Sequence, residues 1–391
     1  LTAVRTGLDR IADGDLDAVR LVAGRNVGLL AHAASVDRRL RPAASVLRAA
    51  GANVAALFGP EHGFAGAAQD MIGVGTSDQD EVPIYSLYGD DSGDLSPKPE
   101  WLRGLDAIVI DLQDVGSRYY TYVWTAALTM KAAAAVGTEV VLLDRPNPLG
   151  GARVEGAPQR DGYLSFVGLY PVAVRHGLTI AELMHWVCDL EKIDRSVLNI
   201  VPLDGWMRSM NWKDTGLPWV MPSPNMPTPN TALVYPGGCL VEGTRLSEGR
   251  GTTRPFELWG APGLDVRPLL ELDLHGVTLR PVELTPTFQK HAGLSCAGVQ
   301  VHVTDPWVFR PYEAYLRMLA AVLRQLEPVE RWRTEVYEFV SDRPAIDLLT
   351  GGPEFRTAVD EGASLDTVLA NEARGAALFD DERRSAWLYA K

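Results

Sequence analysis

The sequence predicts an α/β protein: a Rossmann-like parallel-sheet domain followed by a second, smaller α/β domain. Two observations carry this. Short apolar runs at residues 26–30, 54–58, 107–111 and 140–143 alternate with helix-like stretches. Each of the last three is followed at once by Gly, Pro or charged residues, as in strands buried on both faces of a parallel sheet. Strand–helix–strand alternation then implies a doubly wound sheet. The second observation is length, since 391 residues exceed what one core ordinarily supports.

Taken in order, residues 26–30 read as a strand, 42–50 as a helix and 54–58 as the next strand. A long excursion at 63–95, rich in Gly, Asp and Pro, is read as a functional loop or lid, because plain connections are shorter. Residues 107–111 form the third strand, 119–136 an Ala-rich helix and 140–143 the fourth strand. The pattern changes near Gly162, which divides the chain into 1–161 and 162–391. Residues 179–190 read as a helix, with Thr179 and Glu182 spaced as a capping box. A short strand is expected at 199–202. The stretch 206–236 is dense in Trp, Pro, Met and Asn and is expected to be irregular, because prolines remove backbone donors. An alternating strand at 299–303, an amphipathic helix at 311–326 and a short helix at 365–370 complete the reading.

Composition excludes several functions. A formal net charge of −13 argues against a nucleic-acid backbone as ligand. No apolar run reaches membrane-spanning length, so no membrane insertion is expected. Cys188, Cys239 and Cys296 lie far apart with no CxxC or Cys/His spacing, so no metal site is expected. The chain opens at Leu1 rather than Met. A removed signal peptide would make the protein secreted or periplasmic; otherwise the cytoplasm is expected. Oligomeric state is not readable.

Ligands of open parallel sheets bind outside the carboxyl ends of the strands, and three polar segments sit there. In GPEHG (59–63), Glu61 is placed for general acid work and His62 for tuning it or touching substrate. A helix-capping turn is the competing reading. In DLQDVGSRYYTY (111–122), Asp114 could serve as acid, base or nucleophile with Arg118 beside it, and it equally suits N-capping of the following helix. In DRPNPLGG (144–151), Arg145 and Asn147 sit on a loop stiffened by two prolines. A sugar hydroxyl or acetamido group would fit Asn147, as would a plain linker role. A fourth segment, LVEGTRLSEGRGTTRPF (240–256), gathers Glu242, Glu248, Arg250 and Arg254 among glycines, a set suited to gripping a carboxylate. GxSxG, HExxH and phosphate-loop patterns are absent. Paired carboxylates with Arg, Asn and aromatics match carbohydrate chemistry, because glycoside hydrolysis ordinarily uses two carboxylates.

Long motifs in one order then identify a resemblance. GLLAHAASVDRRLR (28–41), LFGPEHGF (57–64), PIYSLYG (83–89), DLQDVGSRYYTY, LLDRPNPLGG and SFVGLYPVAVRHGLT (165–179) are followed by GLPWVMPSPNMPT, TALVYPGGCLVEGTRLSEGRGTTRPFE (231–257) and TPTFQKHAG (285–293). The chain resembles the NamZ-type exo-β-N-acetylmuramidases, a bacterial family first catalogued as a domain of unknown function. The resemblance implies a site in the cleft between a Rossmann-like and a smaller α/β domain. It implies release of N-acetylmuramic acid from the non-reducing ends of peptidoglycan fragments, without a nucleotide cofactor. A non-catalytic muropeptide-binding protein and a glycosidase for another amino sugar are the alternatives. On this reading Glu61 is the acid/base, and the second role falls to Glu248, Glu242, Asp114 or the substrate's own acetamido group. Arg118, Arg145, Arg250 and Arg254 are candidates for the lactyl carboxylate, and His62 and Asn147 for the sugar. One departure is His32-Ala33-Ala34, where the family pattern leads us to expect a Thr-Asn-Pro-like turn; a ligand role for that turn is therefore not carried over.

Overall fold

The structure, a computed structural model, describes residues 3–63, 82–89 and 91–390. Residues 64–81 and 90 of the expected lid lie outside them. Six strands form the main sheet: β1 (Asn26–Ala31), β2 (Asn53–Gly59), β3 (Ile84–Ser86), β4 (Ala107–Asp111), β5 (Glu139–Leu143) and β6 (Leu198–Val201). All pairs are parallel, in the order β3-β2-β1-β4-β5-β6. The order reverses between β1 and β4, as in doubly wound sheets. Side chains alternate between the two faces. On β4, Ile108 and Ile110 join the core beneath helices Tyr122–Val136 and Ile180–Glu191. Ala107 and Val109 join the core beneath helices Gly7–Ala12 and Ala43–Ala49.

The sheet draws β6 from beyond residue 161, through the helix Ile180–Glu191. That helix starts with the capping box its sequence spacing predicts: Thr179 Oγ1 accepts from Glu182 N, and Glu182 accepts from Thr179 N. The helix expected at 119–136 begins three residues later, at Tyr122, because 117–121 form a turn that carries polar side chains over the sheet edge.

A second, antiparallel sheet is formed by β7 (Leu258–Ala261), β8 (Val277–Leu284) and β9 (Cys296–Val303), in the order β7-β9-β8. Helix Pro311–Leu323 buries Leu316 and Leu319 in the same core as Val299 and Val301. Two expectations are corrected. The proline-dense stretch is not irregular throughout, since its end forms the helix Pro229–Gly238. Pro229 sits at the first turn, where its missing N–H costs nothing, and Thr228 caps the helix by accepting from Thr231 N; only Pro236 removes a bond. The short helix expected at 365–370 runs as Asp366–Glu382.

The chain end returns to the first sheet. Leu388 N donates to Glu182 Oε1 at 2.9 Å, and the Tyr389 hydroxyl donates to Asp144 Oδ2 at 2.5 Å. Tyr389 also accepts from Leu203 N, just past β6. Burial pushes the Asp144 carboxyl up to about 7, although hydrogen bonds from Tyr389, Thr179 and Ala181 oppose it. Among the described residues no helix is long and apolar enough to cross a membrane.

Candidate active site

The crevice at the β1/β4 reversal, where doubly wound sheets usually hold ligands, is filled by the protein itself. His32 N donates to Ser35 Oγ at 2.9 Å, and Ser35 Oγ donates to the Asp111 carbonyl. Gln113 N donates to His32 Nε2 at 2.9 Å, so the proton sits on Nδ1 and points at Pro222 O, 3.0 Å away. Burial drives His32 down to about 3, so it stays neutral. It is a tie between β1, β4 and the proline-rich segment.

The open polar cavity lies one strand over, beyond β2. It is a tight cleft, with only about 30 Å³ of free space. Three carboxylates line it, Glu61, Glu242 and Glu338, together with His62, Tyr120 and Arg250. Glu61 leaves β2 through a tight turn closed by Gly63 N to Pro60 O at 2.9 Å. His62 in that turn has φ +69°, a conformation that non-glycine residues hold only when their surroundings force it. Glu61 is buried, and its Oε2 accepts from Thr121 Oγ1 at 2.7 Å. Thr121 stands at the N-terminus of the 15-residue helix Tyr122–Val136. The Tyr122 hydroxyl lies between Glu61 O (3.3 Å) and Pro222 O (2.9 Å), which seats Ser223 at the cavity wall.

The opposite wall comes from the turn of 3-10 helix Cys239–Gly243 and the loop after it. Glu242 receives Arg250 Nη2 at 2.7 Å on Oε1 and the Tyr337 hydroxyl at 2.7 Å on Oε2. Arg250 reaches on to Glu248, with Nε 3.4 Å from Oε1, and Lys290 Nζ lies 3.0 Å from the other oxygen. Burial alone would raise the Glu248 carboxyl, but Lys290 and Arg250 outweigh it and hold it below the usual range. The glycines of this segment serve the protein rather than an open approach. A Cβ on Gly249 would stand 2.1 Å from Leu258 O, and one on Gly251 2.6 Å from Thr287 N, both at φ +79°.

Of the residues singled out by sequence, Glu61, His62, Glu242 and Arg250 come together here. Glu248 stands behind Arg250 and lines a neighbouring groove. Asp114 Oδ2 accepts from Gly116 N at 2.7 Å and faces His176 Nε2 at 3.4 Å, outside the cavity lining. Arg118 is fully buried and donates to the carbonyls of Ala157, Val172 and Leu349. Arg145 forms a bidentate pair with Asp111, at 2.6 and 2.8 Å. Burial nonetheless leaves the Asp111 carboxyl above its usual value. Asn147 braces its own loop, donating to Leu178 O and accepting from Leu149 N, both at 2.9 Å. Arg254 is half-exposed beside Glu257, at 3.6 Å. These residues hold the scaffold rather than face the cavity.

Sequence reasoning missed Thr121, Tyr337 and Glu338. Thr121 had a signal, a hydroxyl residue just before an apolar helix. Tyr337 and Glu338 had none: Tyr337 meets Glu242 across 95 residues of chain, Glu338 accepts from the Tyr88 hydroxyl, and Glu338 and Phe339 take positive φ angles of 45° and 68° that nothing in their sequence announces. Among the described residues, no group of three or more His, Cys, Asp or Glu side chains could hold a metal ion.

Comparisons with known proteins follow the same two-part layout. The family model for the N-terminal part of the exo-β-N-acetylmuramidase NamZ matches residues 27–230, and the one for its C-terminal part matches 233–389. The peptidoglycan β-N-acetylmuramidase NamZ of Bacillus subtilis (strain 168) is 40% identical over 393 residues, covering 99% of this chain and 91% of the relative. A crystal structure of a DUF1343 family protein from Bacteroides fragilis NCTC 9343 matches with TM-score 0.86 and 30% identity over the whole of both chains. A second one, at 24% identity and TM-score 0.75 over both full chains, shares the fold. The chain belongs to the NamZ exo-β-N-acetylmuramidase family.

Proposed function

We propose that this protein is an exo-acting β-N-acetylmuramidase that removes N-acetylmuramic acid from the non-reducing ends of peptidoglycan fragments. The observation that carries it is one cavity holding Glu61 on one wall and the Glu242–Arg250 pair on the other. It fits within a chain whose relatives are named for that activity. In this reading the chain works as two domains with the sugar bound in the cleft between them, the first extending past residue 161 to include β6.

Glu61 is the general acid. Thr121 fixes one carboxyl oxygen, so the other is the one that meets the glycosidic oxygen and gives up its proton as the bond breaks. The N-acetylmuramyl ring then develops oxocarbenium charge, the aglycone leaves with the donated proton, and water, deprotonated by the Glu61 carboxylate, adds at C1 to complete the hydrolysis. Glu242 answers that charge. Arg250 and Tyr337 engage its two oxygens, which fixes it in place but blunts it as a nucleophile. Stabilising the cation, or the ring formed if the substrate's own acetamido oxygen attacks C1, suits it better than forming a covalent bond. Its place in the cavity supports it over Glu248 and Asp114 for the second role. Arg250, which lines the cavity while paired with Glu242 and Glu248, is assigned as the contact for the lactyl carboxylate, with His62 against the sugar. A sugar lacking the lactyl group would lose that contact, which gives selectivity.

The test is turnover of matched chromogenic β-glycosides. The reading predicts hydrolysis of the N-acetylmuraminide and at least about a hundredfold weaker kcat/KM on the N-acetylglucosaminide, the loss expected when a charged hydrogen-bond partner is missing. Equal rates would defeat the Arg250 assignment, and saturable binding without turnover would mark a binding protein instead.

A further inference from the structure

Two adjoining grooves lie away from the cavity described above and share no lining residue with it. They hold about 370 and 330 Å³ of free space and meet at Arg153, Arg310 and Glu313. Among the described residues, all the carboxylates around them but Asp273 are already engaged. Glu155 pairs with Arg175 at 3.0 Å, and Glu313 pairs with Arg317 at 2.8 Å. Asp305 caps its own turn through Trp307 N at 2.8 Å, Glu372 accepts from Ala157 N at 2.6 Å, and Asp380 is held by Arg383 and Arg384. Asp273 lines only the second groove. Arg153 and Arg310 are left with no hydrogen bond or ion pair among the described residues. Arg153 is half-buried, and burial followed by the charges of Arg175 and Arg310 pulls its pKa down. Arg310 is exposed, and a part-buried guanidinium near a second one gains from an anion that both can hold. At the rim, the Trp307 side chain is 39% exposed and contacts no other aromatic ring among the described residues.

We propose that this groove is a second glycan-binding site, in which Arg153 and Arg310 hold the carboxylate of an acidic sugar and Trp307 covers the sugar's apolar face. It rests on the reading that the substrate is a lactyl-bearing glycan. Guanidinium forks match carboxylates two bonds at a time, and indoles offer a flat apolar surface with a polar edge. Glu155 and Asp305 offset part of the charge on Arg153, yet on a chain of net charge −13 two guanidiniums without an ion pair at one groove are a directed feature. The site would keep the enzyme on a polymer while the chain end sits in the cavity.

The experiment is co-sedimentation of the full chain with insoluble glycans, using wild type, Arg153→Gln with Arg310→Gln, and Trp307→Ala. Peptide-free peptidoglycan glycan with exposed lactyl carboxylates, intact peptidoglycan and chitin serve as the three probes. The expected result is binding to the peptide-free glycan but not to chitin, weakened about tenfold or more in the double Arg variant and in Trp307→Ala. Binding should also weaken with added salt. Turnover of the small chromogenic N-acetylmuraminide should stay at the wild-type level in all variants, which separates this site from the cavity. Unchanged co-sedimentation of the variants would overturn the proposal. So would equal binding to chitin, or binding that requires the peptides. Loss of small-substrate turnover in wild type would instead count against the proposed function.

Discussion

Replacing Asp144 by Asn should change how stability depends on pH. Asp144 is fully buried at the end of β5, between Tyr389 of the chain end and Ala181 N at 3.2 Å. Its folded pKa is about 7 against an ordinary 3.8, with burial the main cause. The folded state therefore holds a proton that the unfolded chain releases. Stability from this group is fully present below pH 3.8 and is lost as pH rises through about 7. A gap of about three units corresponds to ~4 kcal/mol of stability surrendered across that window. Asn cannot ionise, and it keeps an acceptor for Ala181 N while offering Tyr389 a donor. Urea unfolding at several pH values between 4 and 8.5 reads the difference. Wild type should lose up to ~4 kcal/mol more than the variant on going from acid to alkaline pH, and the variant should be the more stable at pH 8. Parallel pH profiles for the two proteins would refute the account of a protonated, buried Asp144.

Arg145→Ala should destabilise the fold by about 3–5 kcal/mol, since it strands a buried Asp111 carboxylate; chemical unfolding reads this, and a loss under 1 kcal/mol would show the pair to be dispensable. Tyr337→Phe removes the hydroxyl that holds Glu242 Oε2. It should lower kcat about tenfold with little change in fold, and an unchanged kcat would release Glu242 from the chemistry. Gly116→Ala places a methyl group 2.3 Å from Asn147 Oδ1 at φ +79°. It should cost at least about 1–3 kcal/mol, measured as a lower melting temperature, and a neutral result would mean that the two loops are not tightly joined.

The parallel sheet was legible because β1, β2, β4 and β5 are short apolar runs with polar ends, a pattern that physics ties to strands buried on both faces. The small β8 was not legible. It exposes one face, so its sequence, VTLRPVEL, carries no continuous apolar run. Helix Pro229–Gly238 was hidden by prolines that sit where a helix tolerates them. At the site, strand-end loops pointed to Glu61, and the Gly/Arg/Glu segment pointed to Glu242 and Arg250. The error was to treat every charged loop residue as facing a ligand. Arg118, Arg145 and Asn147 instead satisfy buried carbonyls and carboxylates inside the scaffold, a role that spacing cannot distinguish from substrate binding. Tyr337 and Glu338 depend on a distant chain crossing, which no local pattern encodes.

The central claim is that Glu61 donates the proton that breaks the glycosidic bond. Single-turnover and steady-state hydrolysis of the chromogenic N-acetylmuraminide by Glu61→Gln measures it most directly, because the amide keeps the acceptor for Thr121 and removes only the acid. The account predicts a fall in kcat of about a hundredfold or more with KM nearly unchanged. Wild-type turnover in this variant would contradict it.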